Sequence, residues 1–309
     1  MLDLILDSLR VVSLPTKTNF RGINQREVAL FEGPQGWSEF SPFLEYSDEE
    51  SASWLACAIE AATIPTPHLF RKAIAVNATL PALNGESDIS RILSAFPGCT
   101  TIKIKVGENK EEDLARIDTV RRIAPDAKLR IDVNGLWNVD EAAHFLELCG
   151  EIEYVEQPCA TTTELRELKS RVDVKITGDE ILRKSKNPFE VDLKGAVDIL
   201  MLKVQPLGGI AQAKKLAEHH QLPIVVSSAL ESAVGIGYGL KLAASLEVLD
   251  YACGLATGSL LSSNLAELAI IDGSIELKDL VPNFKGLEVS TERYEWWKNR
   301  IMRTAALLG

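Results

Sequence analysis

The chain reads as an α/β protein: a closed parallel barrel of eight strands preceded by a smaller α+β portion. Three observations predict this. From about residue 73, short strand-like runs alternate with amphipathic helical segments, the pattern of successive parallel βα units. Eight such runs are present, enough to close a barrel. The polar residues ending five successive runs, Asp132, Glu156, Asp179, Lys203 and Ser227, recur at intervals of 24, 23, 24 and 24 residues. That is the length of one strand, loop, helix and loop, so equivalent positions face the C-terminal mouth where barrels build their sites.

The elements follow in order. Within residues 1–72, "REVALFEG" and "GWSEFSPFL" read as hairpin strands, and "SDEESASWLACAIEAA" as a capped helix with acids in its first turn. The barrel runs are "KAIAVNATL", "TIKIKV", "LRIDVN", "EYVEQP", "VKITGDE", "ILMLKV", "PIVVSSA" and "YACGLAT". Between them, "EEDLARIDTVRRIA" places Leu114, Ile117 and Val120 at helical spacing, and "GGIAQAKKLAEHH" opens another helix. "YEWWKNRIMRTAALL" reads as a terminal helix or arm. Trp54, Trp296 and Trp297 are expected to pack the first portion. The expected division is a capping domain over 1–72 with a return over about 278–309, and a barrel over 73–277.

At 309 residues, with 46% hydrophobic and 25% charged residues, the chain has material for a sizeable core. A net charge of −11 argues against nucleic-acid or anionic-membrane partners. Five scattered cysteines without a C-x-x-C pair suit a reducing compartment. No signal peptide or membrane-length apolar run is evident, and the expected location is the cytoplasm. The four histidines fall away from the strand ends and are assigned no catalytic role.

Three carboxylates, Asp132, Glu156 and Asp179, end three consecutive strands. Neighbouring strands lie about 4.8 Å apart, so the three groups can converge, and they repel unless something cancels their charge. A hard divalent cation does so, and an all-oxygen set favours Mg²⁺, with Mn²⁺ a possible substitute. The plainer reading, that each acid caps a helix or meets a lysine, suits any one of them better than three in phase. Lys105 ends the second strand and Lys203 the sixth, on opposite sides of the mouth, with Lys103 one pleat below Lys105. These lysines can balance the acids. A lysine near a second lysine and Mg²⁺ also has a lowered pKa and becomes a credible general base toward a small carboxylate substrate.

The ordered motifs "KIK", "DVN", "EQP", "GDE" and "LKV" resemble the muconate-lactonizing subgroup of the enolase superfamily. The resemblance implies a (β/α)7β TIM-like barrel with an N-terminal α+β capping domain, and Asp132, Glu156 and Asp179 as Mg²⁺ ligands. "GWSEFSPF" and "SSALESAVG" are similar to the o-succinylbenzoate synthase family of menaquinone biosynthesis. That implies a syn dehydration of a cyclohexadiene carboxylate, with Lys105 as acid/base, Lys203 stabilising negative charge and Lys103 tuning the site. Ser227, Ser228 and Gly254 would meet the succinyl group, and Arg21, in "TKTNFRG", resembles an anion contact on a mobile cap loop. Asn134 would touch the metal's water or Lys105. Arg130, on the strand of Asp132, would support that ligand or balance charge deep in the barrel.

Other functions share part of this pattern. N-acylamino acid racemases and dipeptide epimerases of the same subgroup need lysines on both faces of a bound carboxylate. A Schiff-base aldolase places a lysine at the end of strand six without a metal. A non-catalytic binding barrel would need neither. The oligomeric state is open.

Overall fold

A computed structural model describes residues 2–20 and 22–308 of the chain. Helix α1 (Leu2–Ser8) leads into an antiparallel sheet of β1 (Arg10–Phe20), β2 (Ile23–Gly33) and β3 (Gly36–Phe40). β2 and β3 are the expected hairpin, in register from Ala29↔Phe40 to Gly33↔Gly36. Helix α2 (Asp48–Thr63) starts at a reciprocal cap: Ser47 Oγ accepts from the Glu50 N–H, and the Glu50 carboxylate accepts from the Ser47 N–H.

The run "KAIAVNATL" is not one strand. β4 (Ala73–Ala75) pairs antiparallel with a strand far along the chain, and only β5 (Ala78–Leu80) enters the barrel. The break falls at Val76 and Asn77, where the backbone changes partners between two sheets. The βα units then follow: α3 (Glu86–Leu93), β6 (Thr101–Lys105), α4 (Lys110–Ile123), β7 (Lys128–Asp132), α5 (Val139–Leu148), β8 (Tyr154–Glu156), α6 (Thr162–Lys169), β9 (Ile176–Gly178), α7 (Glu180–Arg183), β10 (Ile199–Lys203), α8 (Ile210–His220), β11 (Ile224–Ser227) and α9 (Ala233–Ala244). β5 to β11 form one parallel sheet in which each strand neighbours its predecessor.

The eighth expected strand, in "YACGLAT", shrinks to two paired residues. Cys253 bridges Val76 and Gly254 bridges Ser227, both parallel, and their backbone hydrogen bonds close the sheet on itself. Close approach requires a glycine at position 254, where a Cβ would lie 2.4 Å from Ser227 Oγ. β12 (Ile270–Ile271) and β13 (Ser274–Glu276) complete the small sheet with β4, and α10 (Thr291–Ala306) ends the fold. The tail is thus a helix rather than an extended arm.

Alternation along the barrel strands sorts the side chains. Ile102 and Ile104 join the apolar layer beneath the helices, which leaves Lys103 and Lys105 facing the barrel interior. Tyr154, Ile199, Met201 and Val225 fill the interior below. A second core unites the first portion with α10: Trp54 and Trp297 are fully buried there, and Trp297 meets Phe40 edge-on with ring centroids 5.9 Å apart.

Where this first portion meets the barrel, the contact is polar and buried. The Glu39 carboxylate, on β3, accepts from Ser41 Oγ at 2.6 Å, from the Gly235 N–H at 3.0 Å, and from both the N–H and the hydroxyl of Ser232. It therefore sits on the positive end of α9, where an anion is favoured. Arg26, on β2, donates to the carbonyls of Ser41 and Leu230. Leu230 has φ +62°, a left-handed conformation unusual for a branched side chain, and the Arg26 bond holds it there.

Glu231 lies 2% exposed beside this network, and burial together with the Glu39 charge pushes its pKa up to about 7. A folded value above the unfolded one favours folding only while the proton is held. That contribution is complete below about pH 4 and is lost as pH rises through 7, about 3 kcal/mol in all. Urea unfolding between pH 5 and 8 should show this decline, and Glu231→Gln should make it shallower by the Glu231 share.

Candidate active site

The residues that the sequence places at strand ends do meet at the mouth of the barrel. Strand register brings them together: Lys105 pairs with Asp132, Asp132 with Glu156, and Lys203 with Ser227. Asp179 follows β9 as the residue before α7. Over them lies a cavity of about 500 Å³, lined by Lys103, Lys105, Asp132, Lys203, Thr257 and, from the first portion, Phe20. That is room for a small organic ligand.

The charges pair closely. Lys103 Nζ lies 3.0 Å from Glu156 Oε2 and 3.3 Å from Asp132 Oδ2, while Lys105 Nζ lies 3.3 Å from Asp132 Oδ1. Lys203 Nζ contacts Asp179 Oδ2, and Arg183 Nε contacts both Asp179 oxygens at 3.1 and 3.2 Å. Burial opposes the charge of Lys103, but Glu156 and Asp132 outweigh it and hold its pKa well above the usual lysine range. Burial likewise works against ionised Asp132, yet Lys105, Lys103 and Lys203 hold it well below the usual carboxylate range. Asp179 is depressed against its burial by Arg183 and Lys203. Glu156 is the exception: burial, then the Asp132 charge, pushes it up to about 7.

Does this set suit a divalent cation? Among the described residues no three acids, histidines or cysteines are gathered about one point. Their oxygens face Lys103, Lys203 and Arg183 instead. Two observations nonetheless fit a hard cation. Asp132 Oδ1 is buried and accepts no hydrogen bond from the described residues despite Lys105 nearby. At fully buried Glu156, burial and the Asp132 charge outweigh the ion pair with Lys103, so a further positive charge there would be favoured. Carboxylate oxygens are also the donors such ions prefer.

Other expected residues fall in different settings. The Arg130 guanidinium turns to the opposite end of the barrel from Asp132, bonding Glu153 Oε2 at 2.6 Å, Asn77 Oδ1 and the Ala252 carbonyl. It packs against the rings of Tyr154 and Tyr251, so deep charge balance is the reading these bonds favour. Asn134, at φ +54°, lines the cavity and donates to Glu180 Oε1 at 2.9 Å, away from Lys105. The Ser228 hydroxyl donates to the Gly254 carbonyl at 2.5 Å and pairs with Thr257 Oγ1 at 2.8 Å, so it is already engaged. Gly254 is required by the approach of Ser227. Arg21 lies outside the described residues. The start of α8 meets an internal anion: the Glu60 carboxylate of α2 accepts from the Ile210 N–H.

Sequence reading missed Arg183. It neutralises Asp179 and Glu180 and donates to Tyr46 Oη at 3.1 Å, tying a strand-end acid to the first portion. A signal was available, since Arg183 stands four residues after Asp179 at the start of a helix. Thr257 had none, because its place depends on how the chain returns after the closing bridges.

A closed parallel barrel with lysines flanking strand-end acids, under a separate α+β portion, defines a class of enzymes. The chain belongs to the enolase superfamily: residues 92–287 match the family described as enolase C-terminal domain-like, and residues 11–62 the one described as enolase N-terminal domain-like. Within it, the chain is 45% identical over 317 residues to the o-succinylbenzoate synthase of Mycolicibacterium smegmatis, covering 99% of this chain and 98% of that one. The corresponding synthase of Mycobacterium marinum is 45% identical over 314 residues, covering 98% and 95%. Among solved structures, a muconate lactonizing enzyme from Pseudomonas fluorescens matches with a TM-score of 0.76 at 19% identity, covering 94% of this chain and 97% of that one. The L-Ala-D/L-Glu epimerase from Bacillus subtilis gives 0.74 at 21%, covering 87% and 95%. These likenesses carry the fold. No helix among the described residues is long and apolar enough to cross a membrane.

Proposed function

We infer that this chain is an o-succinylbenzoate synthase, a carbon–oxygen lyase dehydrating 2-succinyl-6-hydroxy-2,4-cyclohexadiene-1-carboxylate. The carrying observation is full-length 45% identity to synthases together with two lysines on opposing strands of one cavity. In this reading the barrel over 73–277 holds the chemistry, and residues 1–72 with the return over about 278–309 cover it.

Asp132, Glu156 and Asp179 would hold Mg²⁺, which when bound supplies positive charge to the three acids and to the substrate carboxylate as charge builds there. Lys105, the more open of the lysines, takes the proton α to that carboxylate as a neutral amine. It then returns the proton to the departing hydroxyl on the same face, so that water leaves and the ring becomes aromatic. Lys203 sets a fixed ammonium against the negative charge that develops meanwhile. Lys103 stays charged, held by Glu156 and Asp132, and keeps the field at Lys105 positive. Ser227 and Ser228 shape the wall facing the succinyl arm.

The same lysine pair would serve a racemase, but no relative reported above at high identity carries that name. A Schiff base on Lys203 is disfavoured because its amine is already engaged by the Asp179 carboxylate. An ultraviolet assay of aromatisation tests the reading. Turnover should vanish on EDTA treatment and return with excess Mg²⁺. A folded, Mg²⁺-loaded protein that never aromatises the substrate would refute it.

A further inference from the structure

The acid/base lysine must present its amine within a few tenths of an ångström of the substrate carbon, and it stands on the last residue of a strand. What fixes that strand end is a buried ion pair on the first turns of α4. Asp113 and Arg116 are 2% and 4% exposed, and they form a salt bridge three residues apart on the helix face turned to the barrel. Neither bonds a group expected to react. Their bonds go instead to the backbone around Lys105. Arg116 Nη1 donates to the Lys105 carbonyl at 2.8 Å. Asp113 Oδ2 accepts from the Gly107 N–H at 2.7 Å. The N–H between them, of Val106, is taken by the Asp132 carbonyl at 3.0 Å.

Three consecutive backbone groups after the lysine side chain are thus held, two of them by this pair. The need is local. Gly107 has φ +121°, so the chain turns sharply as soon as the strand ends, and nothing in regular pairing would fix the turn. Arg116 also reaches the neighbouring barrel loop, donating to the Leu83 carbonyl at 2.7 Å and to Asn84 Oδ1 at 3.0 Å. One planar guanidinium thereby sets the loop after β5 and the loop after β6 against each other, at the rim of the same cavity. A buried ion pair is weak evidence of stabilisation, because apolar residues of similar volume often serve as well. Its bonds converge on two neighbouring barrel loops, and one of them takes the backbone carbonyl of Lys105 itself.

We propose that Asp113 and Arg116 are positioning residues that clamp the end of β6 and so aim Lys105 at its substrate. The proposal rests on Lys105 being the acid/base. Arg116→Met keeps the volume and removes every bond to Lys105, Leu83 and Asn84; Asp113→Asn keeps the shape and weakens the hold on Gly107. Both are assayed with ordinary substrate and with substrate deuterated at the α-carbon, beside Lys105→Ala and thermal melts. Misaiming by about 1 Å costs on the order of 100-fold, so kcat should fall about 10- to 100-fold in Arg116→Met and less in Asp113→Asn. KM should stay within about threefold, and the deuterium isotope effect on kcat should grow, because proton abstraction alone has been slowed.

Folded variants with wild-type kcat would overturn the clamp. So would a loss shared between kcat and KM with an unchanged isotope effect, the mark of a pair that only holds α4 in place. If Arg116→Met does not fold, Arg116→Lys applies the same criteria, since one ammonium cannot reach three acceptors in the guanidinium plane. Full turnover by Lys105→Ala would instead remove the acid/base reading, and the clamp with it. An inactive Lys105→Ala beside an unimpaired Arg116→Met removes the clamp alone.

Discussion

Replacing Lys105 with alanine is expected to lower kcat by about 10²- to 10⁴-fold, the range that a positioned acid/base supplies. The protein should stay folded. Lys105 is the least buried of the three lysines, and its one ionic partner among the described residues, Asp132, keeps Lys103 at 3.3 Å. The loss should therefore fall on kcat with little change in melting temperature, measured by the ultraviolet assay and a thermal melt on one preparation. It should also be deeper than the loss in Arg116→Met, which misaims the amine but leaves it present. Wild-type kcat in Lys105→Ala would move the acid/base role elsewhere, and Lys203, across the cavity, would be examined next.

The second large effect concerns stability. Glu39→Ala is expected to cost about 3 kcal/mol or more, read as a lowered denaturation midpoint in urea. The carboxylate is 3% exposed and accepts from Ser41, Ser232 and Gly235 at once. Removing it strands those buried donors, each worth about 1–3 kcal/mol unpaired, with partial repair by water. Glu39→Gln should cost less, because its amide oxygen still accepts while its NH₂ opposes the donors. Because Ser232 and Leu230 belong to the loop that continues from Ser228, the Ala variant should also raise KM. An unchanged midpoint would mean that the α9 end is held by its own Ser232 cap alone.

The rhythm of strand-end residues was legible because a parallel barrel repeats one unit, and each unit must end its strand at the same face. Lys103 and Lys105 in particular follow from alternation: once Ile102 and Ile104 go to the helices, the lysines have only the interior. Arg130 shows where this logic stops. It shares a face with Asp132, yet its long side chain runs the other way, to Glu153 and Asn77. Face is set by the pleat, but direction along the barrel is set by where a partner waits. Ser228 is similar, since its hydroxyl is engaged by Gly254 and Thr257, groups brought close only by closure of the sheet.

What the chain encodes locally is therefore the order of elements, the face each side chain takes and the kind of chemistry at the strand ends. These depend on periodicities of two and 3.6 residues and on side-chain charge, which need no knowledge of distant neighbours. Folding in three dimensions chose the rest. It split "KAIAVNATL" between two sheets, reduced the eighth strand to Cys253 and Gly254, and brought Arg183 to Tyr46 and Arg116 to the carbonyl of Lys105. Each of those outcomes is a hydrogen bond or ion pair whose partner's position is fixed only when the barrel closes and the N-terminal portion docks. A buried polar group goes where it can be satisfied, and that place is a property of the packed molecule.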